Sequence, residues 1–227
     1  MKNRGIFSIG AGACALAGIA SLVKISHIVG SVASFFSLST VVIPLSGALG
    51  GVALCLPVVA LRMAFRVFTL GISPLAAGMY FLPQLAAGLA WSTERSRVMQ
   101  LIMQVGIPLV CMMLFVQHPV GAQAYSYALL WLIPTVLACL SQRSFFVQAL
   151  INTFVAHAVG SIIYLYTGLI LDSATWCALI PRVLIERGLF ASLITAVYYA
   201  MRMLMGVISQ RARSIVGAQV ASSVMDV

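Results

Sequence analysis

Charge is what this sequence has least of. Asp, Glu, Lys and Arg make up 7% of its 227 residues, where a soluble domain carries roughly 25%. Thirteen Lys and Arg and four acids cannot clothe a soluble surface over a chain that is 62% apolar. An ordinary soluble enzyme and a disordered chain are both excluded. Cysteine is also sparse: Cys14, Cys55, Cys111, Cys139 and Cys177 form no CxxC pair. They read as small buried apolar residues, not as a disulfide framework or a zinc site. The three histidines, His27, His118 and His157, lie in three different segments, so no set of facing zinc or haem ligands is visible. The chain has no GxxxxGK[ST], HExxH or GxSxG motif, so phosphate-loop, metalloprotease and serine-hydrolase chemistry have no carrier. The reading is therefore no enzyme, no catalytic residue, no cofactor and no metal.

What the chain has is long runs without charge. They cover 5–23, 25–61, 67–93, 98–142 and 144–171, and 188–210 is broken only by Arg202. A membrane helix needs about 20 apolar residues. The runs are apolar on all sides, without the alternation of a membrane barrel. His118-Pro119-Val120-Gly121-Ala122-Gln123 is a turn-like polar patch that divides the longest run. The expectation is an all-α, polytopic membrane helix bundle with about six transmembrane helices, near 39–61, 67–91, 98–117, 126–142, 145–171 and 188–208. The whole chain, 1–227, reads as one integral membrane domain: an N-terminal segment 5–24, a helical bundle 39–208 and a short cytoplasmic tail 209–227. Pro44, Pro57, Pro74, Pro83, Pro108 and Pro134 fall within the spans, which predicts bent helices, either around a space or as simple packing kinks.

Residues 6–23 are half Gly, Ala, Ser or Cys, and small residues recur at four-residue spacing: Gly10–Cys14, Ala13–Ala17 and Ala17–Ser21. Such spacing lets another helix approach closely, so this segment is expected to pack against the bundle or another chain. Orientation follows the positive residues. If 6–23 does not fully cross, Lys2, Arg4, Lys24, Arg95, Arg97, Arg143, Arg211 and Arg213 lie on one side, and Arg62, Arg66, Arg182 and Arg187 on the other. Eight against four predicts six crossings with both termini cytoplasmic, in a cell inner membrane. A variant in which 6–23 crosses and 25–61 is partly re-entrant gives seven against five. The net charge of +9 fits loops beside anionic lipid, not a nucleic-acid partner.

Three polar features remain. In span 145–171, Thr153, His157, Ser161 and Tyr164 share one helix face, with Asn152 and Gly160 beside them. An ionisable group near mid-span is costly and faces protein or a cavity. His157 is thus expected to face the interior, either as a substrate-binding group or as a neutral hydrogen bond between helices. Gln100 and Gln104, four apart in span 98–117, can face the same interior, so the candidate substrate-binding set is His157, Thr153, Asn152, Ser161, Gln104 and Gln100. Second, Arg182 and Glu186 are four apart on a helix that starts at Pro181 and can pair as an outer-face gate; the alternative is a solvated helix start. Third, Ser192, Thr195, Tyr199 and Arg202 share a face, with Arg202 read as an interfacial anchor. Trp91, Trp131 and Trp176 read as interface anchors too.

The small-residue stretch 10–21 and the Pro- and Gly-bearing stretch 36–51, FSLSTVVIPLSGALGG, together with chain length and helix count, resemble the substrate-binding S components of energy-coupling factor vitamin transporters. The resemblance covers the layout of most of the chain and carries over no vitamin-binding residue. It implies a small-molecule transport or substrate-binding subunit that takes a small polar or heteroaromatic solute. Membrane lipids, a partner membrane subunit and ATPases in trans would surround it. The competing expectation is a structural or assembly protein of the bacterial inner membrane, whose polar groups only join helices.

Overall fold

The computed structural model describes residues 38–92, 96–140, 143–168 and 172–225, with side chains from 40 to 206 within these. The small-residue segment 6–23 and the expectations placed on it, His27, Lys2, Arg4, Lys24 and Arg95 lie outside the described residues. Among the described residues every regular element is helical. After a 3-10 turn at Leu38–Val41, the helices are α1 Val42–Leu70, α2 Pro74–Trp91, α3 Arg97–Gln117, α4 Pro119–Gln123, α5 Tyr125–Ala138, α6 Phe145–Tyr166, α7 Ser173–Ala178 and α8 Ile180–Met225.

Four of them, α1, α3, α6 and α8 over Ile180–Gly206, are long and apolar enough to cross a membrane. Helices also stand at the other two expected places. The 18 residues of α2 span about 27 Å, and α5 is a shorter apolar helix. The chain is thus a membrane protein by helix length and composition, with four such helices described where about six were expected.

Several expected boundaries move. A break at 62–66 does not occur, because α1 runs on through both arginines to Leu70. The Arg66 guanidinium lies 3.9 Å from the Tyr80 ring centre and that of Arg62 lies 5.4 Å from the Phe81 ring. Cation–π contact keeps both charges against α2 without ending the helix. The turn comes at Gly71, whose φ of 64° suits a residue without Cβ. Ser73 then caps α2, with Pro74 in its first turn. α6 ends at Tyr166 and not at 171, closed by Gly168 at φ 70°. The helix expected to start at Pro181 begins at Ile180, preceded by the Asp172-capped α7. The tail expected from 209 continues α8 as helix to Met225.

α1 is not a straight rod. Gly51 leaves helical geometry at φ 60°, ψ −152°, and both sides of this break meet Gly88. A Cβ added to Gly88 would stand 2.5 Å from Cys55 Sγ and 3.2 Å from the Ile43 carbonyl oxygen. α6 occupies the centre, packed on α2, α3, α5 and α8. Pro83 of α2 lies against Gly160 of α6, so a helix and not a ligand fills the approach that Gly160 leaves open.

The three tryptophans are core residues, not interface anchors. Trp91, Trp131 and Trp176 are all buried. Phe115 lies 5.3 Å from Trp131 and 5.1 Å from Trp176, edge to face. The aromatic attraction between α3, α5 and α7 outweighs any gain from placing an indole at the membrane surface. Of the cysteines, Cys55 and Cys111 are buried as expected, whereas Cys139 is exposed.

Candidate functional site

The polar residues collect in two hydrogen-bonded clusters. The first centres on Tyr127. The helix pair that delivers it begins at His118, whose Nδ1 accepts the Val120 N–H at 3.3 Å and caps α4. Gly121 presses so close to α3 that an added Cβ would stand 1.9 Å from the Phe115 carbonyl oxygen. α5 then starts with Tyr127 turned into the bundle, fully buried. Its ring lies 5.6 Å from Phe115 and 4.8 Å from Trp176. The phenolic oxygen lies 2.8 Å from His157 Nε2 and 3.3 Å from Ser161 Oγ.

The α6 face read from the sequence thus turns inward. Ser161 and Thr153 are buried and His157 is partly buried against Tyr127. Thr153 spends its hydroxyl on the Leu150 carbonyl at 2.8 Å. Asn152, fully buried, donates to the Gln148 carbonyl at 2.8 Å. Among the described residues its Oδ1 accepts no hydrogen bond.

The charged part of this first cluster differs from the expected Arg182–Glu186 pair. Glu186 Oε2 lies 3.5 Å from Arg187 Nη2. Arg187 is not a loop residue: it is 4% exposed, donates through Nη1 to the Thr153 carbonyl at 3.4 Å and holds its guanidinium 4.9 Å from the Phe190 ring centre. Val183, Arg187, Phe190, Ala191 and Ile194 repeat at three- and four-residue steps, so the inward stripe of α8 carries the arginine with it. A carboxylate in this setting gains more from a cation sharing its low-dielectric surroundings than from partly buried Arg182 at the helix start.

The second cluster surrounds Gln104. Residues Ile102–Gly106 form a π-turn, closed by the Ile107 N–H on the Ile102 carbonyl. The extra residue per turn directs Gln104 inward, where it is fully buried. Its Nε2 donates to the Ala90 carbonyl at 3.3 Å and its Oε1 accepts from Arg143 Nη1 at 2.7 Å. Arg143, expected in a loop, folds back onto the bundle to make this bond. Gln100 is partly buried one turn earlier.

Gln104 and His157, expected to share a pocket with Gln100, take different hydrogen-bond partners: Ala90 and Arg143 for Gln104, Tyr127 for His157. Tyr199, on the third polar face read from the sequence, is exposed. Ser192 and Thr195 bond back to the Gly188 and Ala191 carbonyls of their own helix, and Arg202 reaches the Tyr198 hydroxyl at 3.4 Å.

Sequence reasoning missed Tyr127, Arg143 and Arg187. Tyr127 had a faint signal, standing four residues before Trp131. Arg187 had a stronger one, falling on the apolar stripe of its helix. Among the described residues no three His, Cys, Asp or Glu side chains converge as metal ligands. Comparison with family models, with curated proteins and with solved structures finds no match to this chain.

Proposed function

We propose that this membrane protein is a small-molecule transport or substrate-binding subunit, similar in layout to the S components and working with a partner membrane subunit and ATPases in trans. One observation carries the reading: a Glu186–Arg187 pair buried inside a membrane-length helix, beside the Tyr127–His157–Ser161 chain. Glu186 and Arg187 stand about two turns inside that span; taking each ion out of water costs several kcal/mol, and helices associate well through neutral groups alone. Retention of two charges there is what a binding site for a polar solute requires. The solute, small and polar or heteroaromatic, would meet His157, Ser161, Thr153 and Asn152, with Arg182 and Glu186 toward its entry. Gln104 and Gln100 would serve the inner end.

In this reading α1, α2, α3, α5, α6 and α8 make six crossings of an inner membrane with cytoplasmic termini. The inward turn of Arg187 supports that orientation, since it leaves Arg62, Arg66 and Arg182 as the outer positive residues. A structural or assembly role is the second reading. It is favoured by the way His157 and Gln104 find their partners inside the bundle.

Thermal-shift screening of purified protein against vitamins and small metabolites, followed by uptake into vesicles, separates the two. The transport reading expects a stabilising solute whose effect is lost in Tyr127→Phe and in His157→Ala. A flat response over the panel, with uptake unchanged in both variants, would favour the assembly role.

A further inference from the structure

The two halves of α3 are held in different ways. From Ile107 to Gln117 the helix is anchored by packing. Pro108, Cys111 and Phe115 are buried, Phe115 stands 5.3 Å from Trp131 and 5.1 Å from Trp176, and the Tyr166 hydroxyl donates to the Leu114 carbonyl at 3.0 Å. From Arg97 to Gly106 a single residue is buried, and it is polar: Gln104. Met103 is half-buried against Ala86, Ala90 and Val155, while Val98, Met99, Leu101 and Ile102 are exposed. The Gln104 carboxamide is thus the main tie of this half. It reaches the Ala90 carbonyl at the end of α2 and the Arg143 guanidinium just before α6.

The join between the halves is suited to bending. The π-turn Ile102–Gly106 interrupts the regular ladder, and helices kink at such turns as they do at proline. Pro108 follows, with no N–H to give to the ladder. Between them, a Cβ added to Gly106 would meet only Ile102 of its own helix, at 3.8 Å. No neighbouring helix requires a glycine there, so its missing side chain frees the backbone and does not serve packing. The surface under the Arg97 half is partly polar. Asn152 stands one turn from Val155 on α6, fully buried, with an Oδ1 that accepts no hydrogen bond among the described residues. We propose that Arg97–Gly106 is a hinged gate: Gln104 latches it shut, and pivoting about 102–108 opens Val155 and Asn152 to water. The gate's role, passage of a solute at this end of the bundle, rests on the transport reading; its movement does not.

Thiol accessibility tests the movement without a solute. Full-length Val155→Cys protein in membranes is treated with a charged, water-borne methanethiosulfonate, and modification is read site by site by mass spectrometry. Val155 is 0% exposed with the latch closed, and native Cys111, buried on the packed half, is the internal control. Gln104→Leu removes both latch bonds and should speed modification at 155 about tenfold, with Cys111 unchanged. Arg143→Ala leaves Gln104 its bond to Ala90; it should give a smaller rise, and it carries the test if the Leu variant does not fold. Adding Pro108→Ala to Gln104→Leu returns a donor to the ladder and should bring the rate back toward that of the latched protein. Unchanged modification at 155 in the folded latch variants would overturn the gate. So would a parallel rise at Cys111, which marks general loosening, and so would a rise that Pro108→Ala leaves untouched, which puts the bend elsewhere. The expected pattern without any stabilising solute would sink the transport reading and leave the movement standing. A stabilising solute with position 155 closed throughout would sink the gate alone.

Discussion

The phenolic oxygen of Tyr127 lies 2.8 Å from Nε2 of His157, two helices that share no sequence neighbourhood meeting through one hydrogen bond. The same oxygen reaches Ser161 at 3.3 Å, and the ring below it is enclosed by Phe115, Trp131 and Trp176. Tyr127 therefore satisfies the polar stripe of α6 with its tip and fills the aromatic core with its body.

Tyr127→Phe removes the tip and keeps the body. It leaves His157 and Ser161 short of a partner, with an expected loss of about 1–3 kcal/mol. Tyr127→Ala also opens a cavity and should cost about 3–5 kcal/mol. Denaturation in detergent should order wild type, Tyr127→Phe and Tyr127→Ala in falling stability. Equal effects of the two replacements would deny the hydroxyl its role.

The α1–α2 contact depends on glycine at particular positions. A Cβ on Gly47 would stand 2.2 Å from the Gly88 carbonyl oxygen, whereas one on Gly78 meets only Met63 Cε at 3.9 Å. Gly47→Ala should force the two helices apart and lower the melting temperature markedly. Gly78→Ala, in open helix, should be neutral or stabilising by up to about 1 kcal/mol. A neutral Gly47→Ala would show that the helices do not approach as described.

Gln104 and Arg143 should behave as a coupled pair. Arg143→Ala strips the carboxamide oxygen of its partner, and Gln104→Leu strips both of the bonds it makes. A double-mutant cycle on unfolding free energy should give a coupling of about 0.5–3 kcal/mol. Additive losses would mean that Arg143 spends its time in water.

Breaking the buried ion pair from one side should be worse than removing it. Arg187→Met alone leaves the Glu186 carboxylate buried without its cation, for an expected loss of about 3–5 kcal/mol. Combining it with Glu186→Gln should recover part of that stability. If the recovered double variant has lost solute stabilisation, the pair serves binding. If it keeps every measured activity, the pair serves packing.

Asp172 lies in the loop before α7, outside the membrane-length helices. Its carboxylate accepts the Thr175 hydroxyl and, at 2.7 Å, the Thr175 N–H. These bonds hold its pKa below the usual carboxylate value. Since the folded-state pKa is the lower one, the cap is fully effective above the unfolded value and weakens as pH falls through the folded one. Amide exchange in 173–178 should accelerate selectively at acid pH. Asp172→Asn should make that exchange independent of acidification beyond the intrinsic rate.

Much of this architecture is legible in the residues alone because its causes are local. Charge cannot sit cheaply in hydrocarbon, so the spacing of Arg97, Arg143 and Arg182 is enough to mark out helices. Likewise the three- and four-residue steps from Thr153 to Ser161 define a face, and the cost of burying an imidazole says that the face turns inward. Boundaries suffered where a tertiary contact overrode that rule: Tyr80 and Phe81 shelter Arg62 and Arg66, and α1 continues past them.

Partners were decided only by the fold. Nothing near His157 in the sequence announces Tyr127, thirty residues away, and nothing near Gln104 announces Arg143. Trp131 and Trp176 went to the core because α3 brings Phe115 between them. Glu186 took Arg187 over Arg182 because the inward stripe of α8 carries Arg187 to the Thr153 carbonyl. A hydrogen bond or ion pair depends on two helices at once, on their rotation and on their depth. Periodicity along one chain segment fixes the rotation of its own helix relative to a core. It contains no information about which helix lies opposite or at what height.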